Sequence, residues 1–260
     1  MSRSKTRALV LCISGHDPSG GAGIHADIES CAALGAHALS VITCHTVQDS
    51  SDVRRVAPVP PIMLAQQMEA LMADCAIAAV KIGLLGDAEQ IAPIAAALRR
   101  LQRPVVLDPV LRAGGGTALV SAALRAEMIE HLLPLADLLT PNLAEARVLA
   151  NLPGADADDC ATRLLARGAR NLLITGGDEA GDSVLNSWHA AGQTPVRYTW
   201  PRIAARFHGA GCTLASASAA LLAQGHALPA ALEQAQRYTH EALSRAYAIG
   251  QGRMIPGRLG

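Results

Sequence analysis

Short apolar runs and helix-period stretches alternate along most of this chain, and that alternation limits the fold more than any single motif does. Ala8 to Ile13 and Ala38 to Cys44 read as buried strands, with a short helix expected near Ala26 to Leu34 between them. From Pro61 the period changes. Leu64, Met68, Leu71, Met72 and Cys75 fall on one face of a helix that begins on proline, and core packing is the plain reading of that stripe. Ala78 to Ile82 reads as a strand, Asp87 to Leu101 as a helix and Pro104 to Leu107 as a strand. Ser121 suits a helix cap. Leu138 to Thr140 is a short strand closed by Pro141, and Asn142 with Glu145 has capping-box spacing for a helix toward Ala150. Asn171 to Thr175 supplies a further strand, and Val184 to Trp188 with Val196 to Trp200 reads as a hairpin at a sheet edge. Helices from Gly211 to Gln224 and from Pro229 to about Tyr247 complete the pattern.

Repeated strand–helix–strand units imply an α/β fold with a mostly parallel central sheet and helices on both faces. With no linker, repeat or break in composition, a single domain over residues 1–260 is expected. Hydrophobic residues make up 50% of the chain but aromatics only 2%, so the core must come from Ala, Leu, Val and Ile, as in parallel sheets under closely packed helices. The formal net charge is zero and no basic stripe stands out, which argues against nucleic acid or a membrane surface as partner. Six cysteines, with no CxxC pair or zinc-ligand spacing, read as reduced thiols. The opening MSRSKTR is basic, but the apolar run after it breaks at Ser14, too soon for a signal peptide, and no stretch is long enough to span a bilayer. A cytoplasmic protein is expected.

Parallel sheets bind ligands at the carboxyl ends of their strands. The informative loops lie there: Ser14 to Gly23, Thr46 to Ser50, Gly83 to Gly86, Asp108 to Gly116, Thr140 to Glu145 and Thr175 to Asp178. Gly21, Gly23 and Ala26 match the dinucleotide fingerprint GxGxxA, but the strand before them ends too early and no acidic residue follows at the required distance. Walker A is absent. The stretch FHGAGCTLASASAAL, Phe207 to Leu221, carries the strongest chemical signal. Gly209 and Gly211 permit a sharp turn into a helix whose free N-terminal amides and dipole suit an anion. Cys212 sits at that mouth, where a thiol pKa can fall from about 8.5 to roughly 3.5–7.5 and yield a base or nucleophile. For a lone GxGC the simpler reading is a small hydrophobe beside a turn.

Six segments in order change that balance. SGHDPSGGAGIHAD at Ser14 to Asp27, TVQD at Thr46 to Asp49, VKIGLLG at Val80 to Gly86, LDPVL at Leu107 to Leu111, TPNLAEA at Thr140 to Ala146 and HGAGCT at His208 to Thr213 together resemble the hydroxymethylpyrimidine and phosphomethylpyrimidine kinases of thiamine biosynthesis. The resemblance covers about residues 8 to 225 and implies a ribokinase-like three-layer sandwich. Sugar kinases of that superfamily usually carry Asp where Cys212 stands.

The resemblance implies ATP and magnesium as cofactors and a small pyrimidine as substrate. Gly209, Ala210, Gly211 and Cys212 would form the anion hole for the transferring phosphoryl group, with Cys212 beside the acceptor oxygen. Gln48 would read the pyrimidine. Its carboxamide can accept from an exocyclic amino group and donate to the adjacent ring nitrogen. Asp27, Gly15, Leu84 and Val110 would belong to the substrate side, Leu84 as apolar wall, although Asp27 could be a structural first-turn residue. Asn142, Thr175, Gly176 and Gly177 would approach the nucleotide. Glu145 and Asp108 would hold the metal; helix capping and an Asp-Pro turn are their plain alternatives. Such kinases often carry KGG where this chain has Thr175, Gly176 and Gly177, so a cation near the phosphates is missing, and Arg112 is a candidate replacement. A homodimer is expected. Two other readings remain: a pyridoxal-type kinase of the same fold, and a pyrimidine-binding sensor without phosphoryl transfer, against which the intact GAGC and NxxE motifs argue.

Overall fold

Apolar runs of strand length that bury both faces form the centre of the protein. In the computed structural model, which describes residues 7–260, the strands are β1 (Leu9–His16), β2 (His37–Gln48), β3 (Val53–Pro58), β4 (Ile77–Ile82), β5 (Val105–Leu107), β6 (Leu138–Leu139), β7 (Asn171–Ile174), β8 (Ser183–Ala190) and β9 (Val196–Pro201). The helices are α1 (Gly23–Ala33), α2 (Pro61–Asp74), α3 (Ile91–Leu101), α4 (Ala122–Glu127), α5 (Leu143–Ala150), α6 (Ala157–Ala166), α7 (Ala210–Ala223) and α8 (Leu228–Ser244). All nine strands join one sheet in the order β3-β2-β1-β4-β5-β6-β7-β8-β9. Strands β2, β1, β4, β5, β6 and β7 are parallel, while β3 and the β8–β9 hairpin add antiparallel edges.

Alternation along β1 divides the core in two. Leu11 and Ile13 face the layer of α2 to α6, whereas Val10 and Cys12 face α1, α7 and α8. Val105 and Leu107 against Val106, and Leu172 and Ile174 against Leu173, repeat the division in β5 and β7. The two layers differ in texture. Leucine and isoleucine dominate the first; the second is built around α7, whose residues Cys212 to Leu221 are all buried. Alanines and serines there let α1 and α8 approach closely. Two of the α7 hydroxyls are satisfied locally, Thr213 Oγ1 donating to Gly209 O and Ser218 Oγ to Leu214 O, both at 2.8 Å.

Several boundaries differ from the expectations. β1 and β2 run on to His16 and Gln48, so Gly15, His16, Thr46 and Gln48 project from strand ends rather than from loops. β3 was not expected. Its exposed Arg54 and Arg55 belong to an edge strand, where one side faces water and the hydrophobic signal is weak. α6 was also missed, although Asp156 caps it through Asp159 N (2.9 Å) and Cys160, Ala161 and Leu164 give it a buried face. On α2, Leu64 and Met68 are fully buried, while Leu71, Met72 and Cys75 pack more loosely against the core. All six cysteines are free, and among the described residues no helix is long and apolar enough to cross a membrane.

Candidate active site

The carboxyl ends of the parallel strands surround a cavity of about 620 Å³, and the loops expected to meet there do. At its floor, the chain enters α7 through Gly209, at φ 86°. A Cβ there would overlap the Gly21 carbonyl oxygen, so the turn demands glycine on both conformational and steric grounds. The N–H groups of Ala210, Gly211 and Cys212 lie in the first turn without intrahelical partners, and all three residues line the cavity. Such a turn suits an anion in geometry and in charge.

Two side chains clamp that loop. Asp17 accepts from Ser19 N and Ser19 Oγ with one oxygen, and from Ala22 N and His208 Nε2 (2.7 Å) with the other. It therefore ties the start of α1 to the approach to α7. From the C-terminal end, the buried Arg258 guanidinium donates to Thr213 Oγ1 (2.8 Å), Glu29 Oε2 (3.0 Å) and Gly21 O. Neither residue is apparent from local sequence periodicity.

Beneath the turn lies a buried charge cluster. Lys81, fully buried on β4, donates to Asp27 Oδ1 (2.7 Å) and Ser14 Oγ (3.2 Å), and Ser216 Oγ of α7 donates to the same Asp27 oxygen (2.6 Å). Asp27 therefore does not line the cavity, contrary to its expected place on the substrate side: its carboxylate is consumed by Lys81 and α7. Burial opposes the charge of Lys81, but Asp27, Cys212 and Asp108 outweigh it and raise its pKa. Cys212 also departs from expectation. Burial pushes its thiol up to about 12, with Lys81 pulling down and Asp108 and Asp27 pushing up, so the helix terminus does not yield a thiolate. Burial raises the carboxyl of Asp108 to about 6, against the pull of Lys81 and with Asp27 adding to the rise.

Glu145 completes the expected capping box. Asn142 Oδ1 accepts from Glu145 N (2.8 Å), and Glu145 Oε2 accepts from Asn142 N (3.1 Å) while Oε1 accepts from Leu111 N (3.1 Å). Burial, then the charge of Asp108, lifts its carboxyl to about 8 despite those amides. Asp108 Oδ2 and Thr140 Oγ1, both in cavity-lining residues, are buried without hydrogen-bond partners. Two carboxyls raised by burial, one of them also by its neighbour's charge, with an orphaned Asp108 oxygen in a cavity-lining residue, fit a divalent cation that takes its other ligands from phosphate and water. Among the described residues, no group of three or more His, Cys, Asp or Glu is arranged to hold a metal by itself.

On the opposite wall, Gln48 ends β2. Its Nε2 donates to Thr46 Oγ1 (2.6 Å), which donates to His16 O (2.9 Å), so the amide is oriented while Oε1 and one N–H stay free for a ligand. Gly15, Leu84 and Val110 line the same cavity, with Leu84 packed against Gly15. The stretch after Asp108 folds into a small hairpin, bridged at Arg112 and Ala118, and Thr117 Oγ1 fastens it to Asp52 (2.7 Å). A second cavity of about 560 Å³ adjoins the first and shares Gly177, Asp178, Phe207, Ala210 and Arg253 with it. Its base is a polar network: Asn186 Nδ2 and Trp200 Nε1 both donate to Gln236 Oε1. Thr175 lines the first cavity and Gly177 both, but Gly176 lines neither, because its amide is spent on Asn186 Oδ1 (3.1 Å).

Residues 17–256 match the family model described as phosphomethylpyrimidine kinase. The chain belongs to the phosphomethylpyrimidine kinase family. A hydroxymethylpyrimidine/phosphomethylpyrimidine kinase from Rhizobium meliloti (strain 1021) is 42% identical over 95% of each chain. Among solved structures, the pyridoxal kinase of Staphylococcus aureus superimposes with a TM-score of 0.89 at 27% identity, covering 98% of this chain and 94% of its own, and has been solved with pyridoxal, ADP and AMP-PCP. A phosphomethylpyrimidine kinase from Clostridium difficile 630 gives a TM-score of 0.79 at 30% identity, over 91% of this chain and 100% of its own. The ribokinase-like expectation holds, and the chain is a phosphotransferase.

For this kinase, the residues left unnoticed in the sequence are Lys81, Asp17, Arg253 and Arg258. A lysine inside the apolar run IAAVKIGLL was a readable signal, since a charge in a buried parallel strand requires a partner. Asp17 was readable as an Asp-Pro-Ser turn. The two arginines carried no such signal.

Proposed function

We propose that this kinase transfers the γ-phosphoryl group of ATP to the hydroxyl of 4-amino-5-hydroxymethyl-2-methylpyrimidine, and then to the monophosphate so formed. The observation that carries the reading is the anion hole of α7, which lies where the two cavities meet at Ala210. In this reading the first cavity takes the pyrimidine, with Gln48 on its polar edge and Leu84 on its face. The second takes the nucleotide base over Trp200 and Gln236, leaving the phosphates at the amides of Ala210, Gly211 and Cys212. Asp108 and Glu145 would hold magnesium, which neutralises phosphate charge when bound. The bond from the acceptor oxygen to phosphorus forms as the bond from phosphorus to the ADP oxygen breaks. The acceptor's proton passes to the carboxylate of Asp108, which borders the cavity together with Cys212. Cys212, held as a thiol, donates a hydrogen bond rather than acting as a thiolate.

The test is an assay with ATP and magnesium that follows both the monophosphate and the diphosphate of the pyrimidine. Likeness to pyridoxal kinase makes pyridoxal the necessary competitor. Preferred turnover of pyridoxal would overturn the substrate assignment, and pyrimidine binding without ATP turnover would favour a sensor. The same reading keeps the chain a cytoplasmic homodimer of one domain, and sedimentation velocity tests the dimer.

A further inference from the structure

The backbone that follows α8 returns across the mouth of the site as a strap. Arg253 N donates to Ser50 O (2.8 Å) at the end of β2, Met254 N to Arg206 O (2.9 Å), and His208 N to Met254 O (2.9 Å). The root of the Arg253 side chain is thus pinned between the acceptor wall and the approach to α7. Its guanidinium is half-buried, and among the described residues it has no hydrogen-bond or ion-pair partner. Gly114 of the small hairpin makes room for it, since a Cβ there would overlap Nη1. The carboxylate whose charge reaches it, Asp52, is already bound by Val53 N and Thr117 Oγ1.

Its position separates it from the other cations. Arg112 borders only the first cavity, and Arg202 and Arg206 only the second. Arg202 is spent on the carbonyls of Gly177, Glu179, Gly181 and Ser183. Arg253 is the one arginine or lysine among the described residues that borders both. In-line transfer carries the phosphoryl group across that boundary, with charge spread over three equatorial oxygens that a planar fork of donors can meet two at a time.

We propose that Arg253 is a catalytic residue that binds the transferring phosphoryl group in both phosphorylations, supplying the cation that Thr175 cannot. The inference rests on the kinase reading. Arg253 forms no covalent bond; it neutralises charge while the acceptor O–P bond forms and the bond to ADP breaks.

The test compares Arg253→Gln and Arg253→Lys with the parent, using pyrimidine and pyrimidine monophosphate as separate acceptors under saturating magnesium and ATP. Arg253→Gln should lower kcat for both acceptors roughly 10²- to 10³-fold, as loss of a donor to transition-state charge does, while calorimetric binding of the free pyrimidine stays within about threefold. The lysine variant should recover only part, and added guanidinium should partly rescue the glutamine variant. A kcat within about threefold of the parent overturns the inference. So does a loss confined to the monophosphate, which would put the guanidinium on the acceptor's existing phosphate. If Arg253→Gln fails to fold, Gly114→Val displaces the guanidinium without altering the strap, and an unchanged kcat there overturns it equally. A parent without magnesium–ATP turnover sinks the kinase reading itself, a separate outcome.

Discussion

Replacing Lys81 by methionine should destabilise the protein far more than a surface charge deletion would. Methionine fills nearly the same volume, so the cost isolates charge rather than a cavity. Both Lys81 and Asp27 are fully buried, their atoms meet at 2.7 Å, and Asp27 Oδ2 already lacks a partner. Removing one member of such a pair leaves a buried charge uncompensated, at a cost of about 3–5 kcal/mol. Lys81 also offsets the charge of Asp108, so its loss leaves two carboxyls facing each other. For a chain of this size each kcal/mol moves Tm by about 2–4 °C, which puts the expected drop at roughly 6–20 °C. Urea unfolding of Lys81→Met, Asp27→Asn and the double variant measures the coupling. Asparagine keeps an acceptor for Ser216, so the double variant should recover at least half of the loss. A single-variant loss below about 1 kcal/mol, or strict additivity in the cycle, would refute the reasoning. The pH dependence has a fixed sign. Because the folded-state pKa of Lys81 is raised above 10.5, its contribution is fully present below that pH and is lost only as pH rises through the folded value. Between pH 6 and 9 the difference between parent and Lys81→Met should therefore carry no slope from this group.

Gln48→Leu should weaken calorimetric binding of the pyrimidine by about 1–3 kcal/mol, because the polar edge of a buried ring loses its partner; unchanged affinity would remove Gln48 from recognition. Glu145→Gln can keep the acceptor for Asn142 N but turns its NH2 toward Leu111 N, so it should melt modestly below the parent and need much more magnesium for half-maximal rate. Loss of stability with the same magnesium dependence would leave Glu145 as a cap alone. Cys212→Ala should lower kcat with little change in pyrimidine KM, the pattern of an interaction made only in the transition state; an unchanged kcat would reduce Cys212 to packing.

Legibility followed burial. Strands enclosed on both faces, such as the core of β1 and β4, announce themselves as unbroken apolar runs, and α3 and α8 by period. β3 escaped because an edge strand with two exposed arginines has no such run, whereas β6, only Leu138 and Leu139, was legible because Pro141 closes its short apolar run. The motif residues fared well as a set: the anion hole, Gln48, Asp108 and Glu145 all border one cavity. Asp27 misled because a first-turn carboxylate near a glycine loop looks alike whether it faces a ligand or a buried lysine, and only the β4 strand crossing beneath it decides.

The thiol of Cys212 misled for a related reason. A helix N-terminus contributes only a partial positive charge, whereas removal from water raises the energy of the thiolate far more, and two carboxylates in the same pocket add to it. The helix position was visible in the sequence; the enclosure was not, because it is made by residues distant along the chain. Asp17 meets His208 across 191 positions and Arg258 meets Gly21 across 237. These ties hold the turn into α7 against the start of α1 and close the pocket from behind, leaving the unpaired amides as its open side. The same enclosure that denies Cys212 a thiolate makes the hole effective, since fixed donors act most strongly on developing charge where water is excluded.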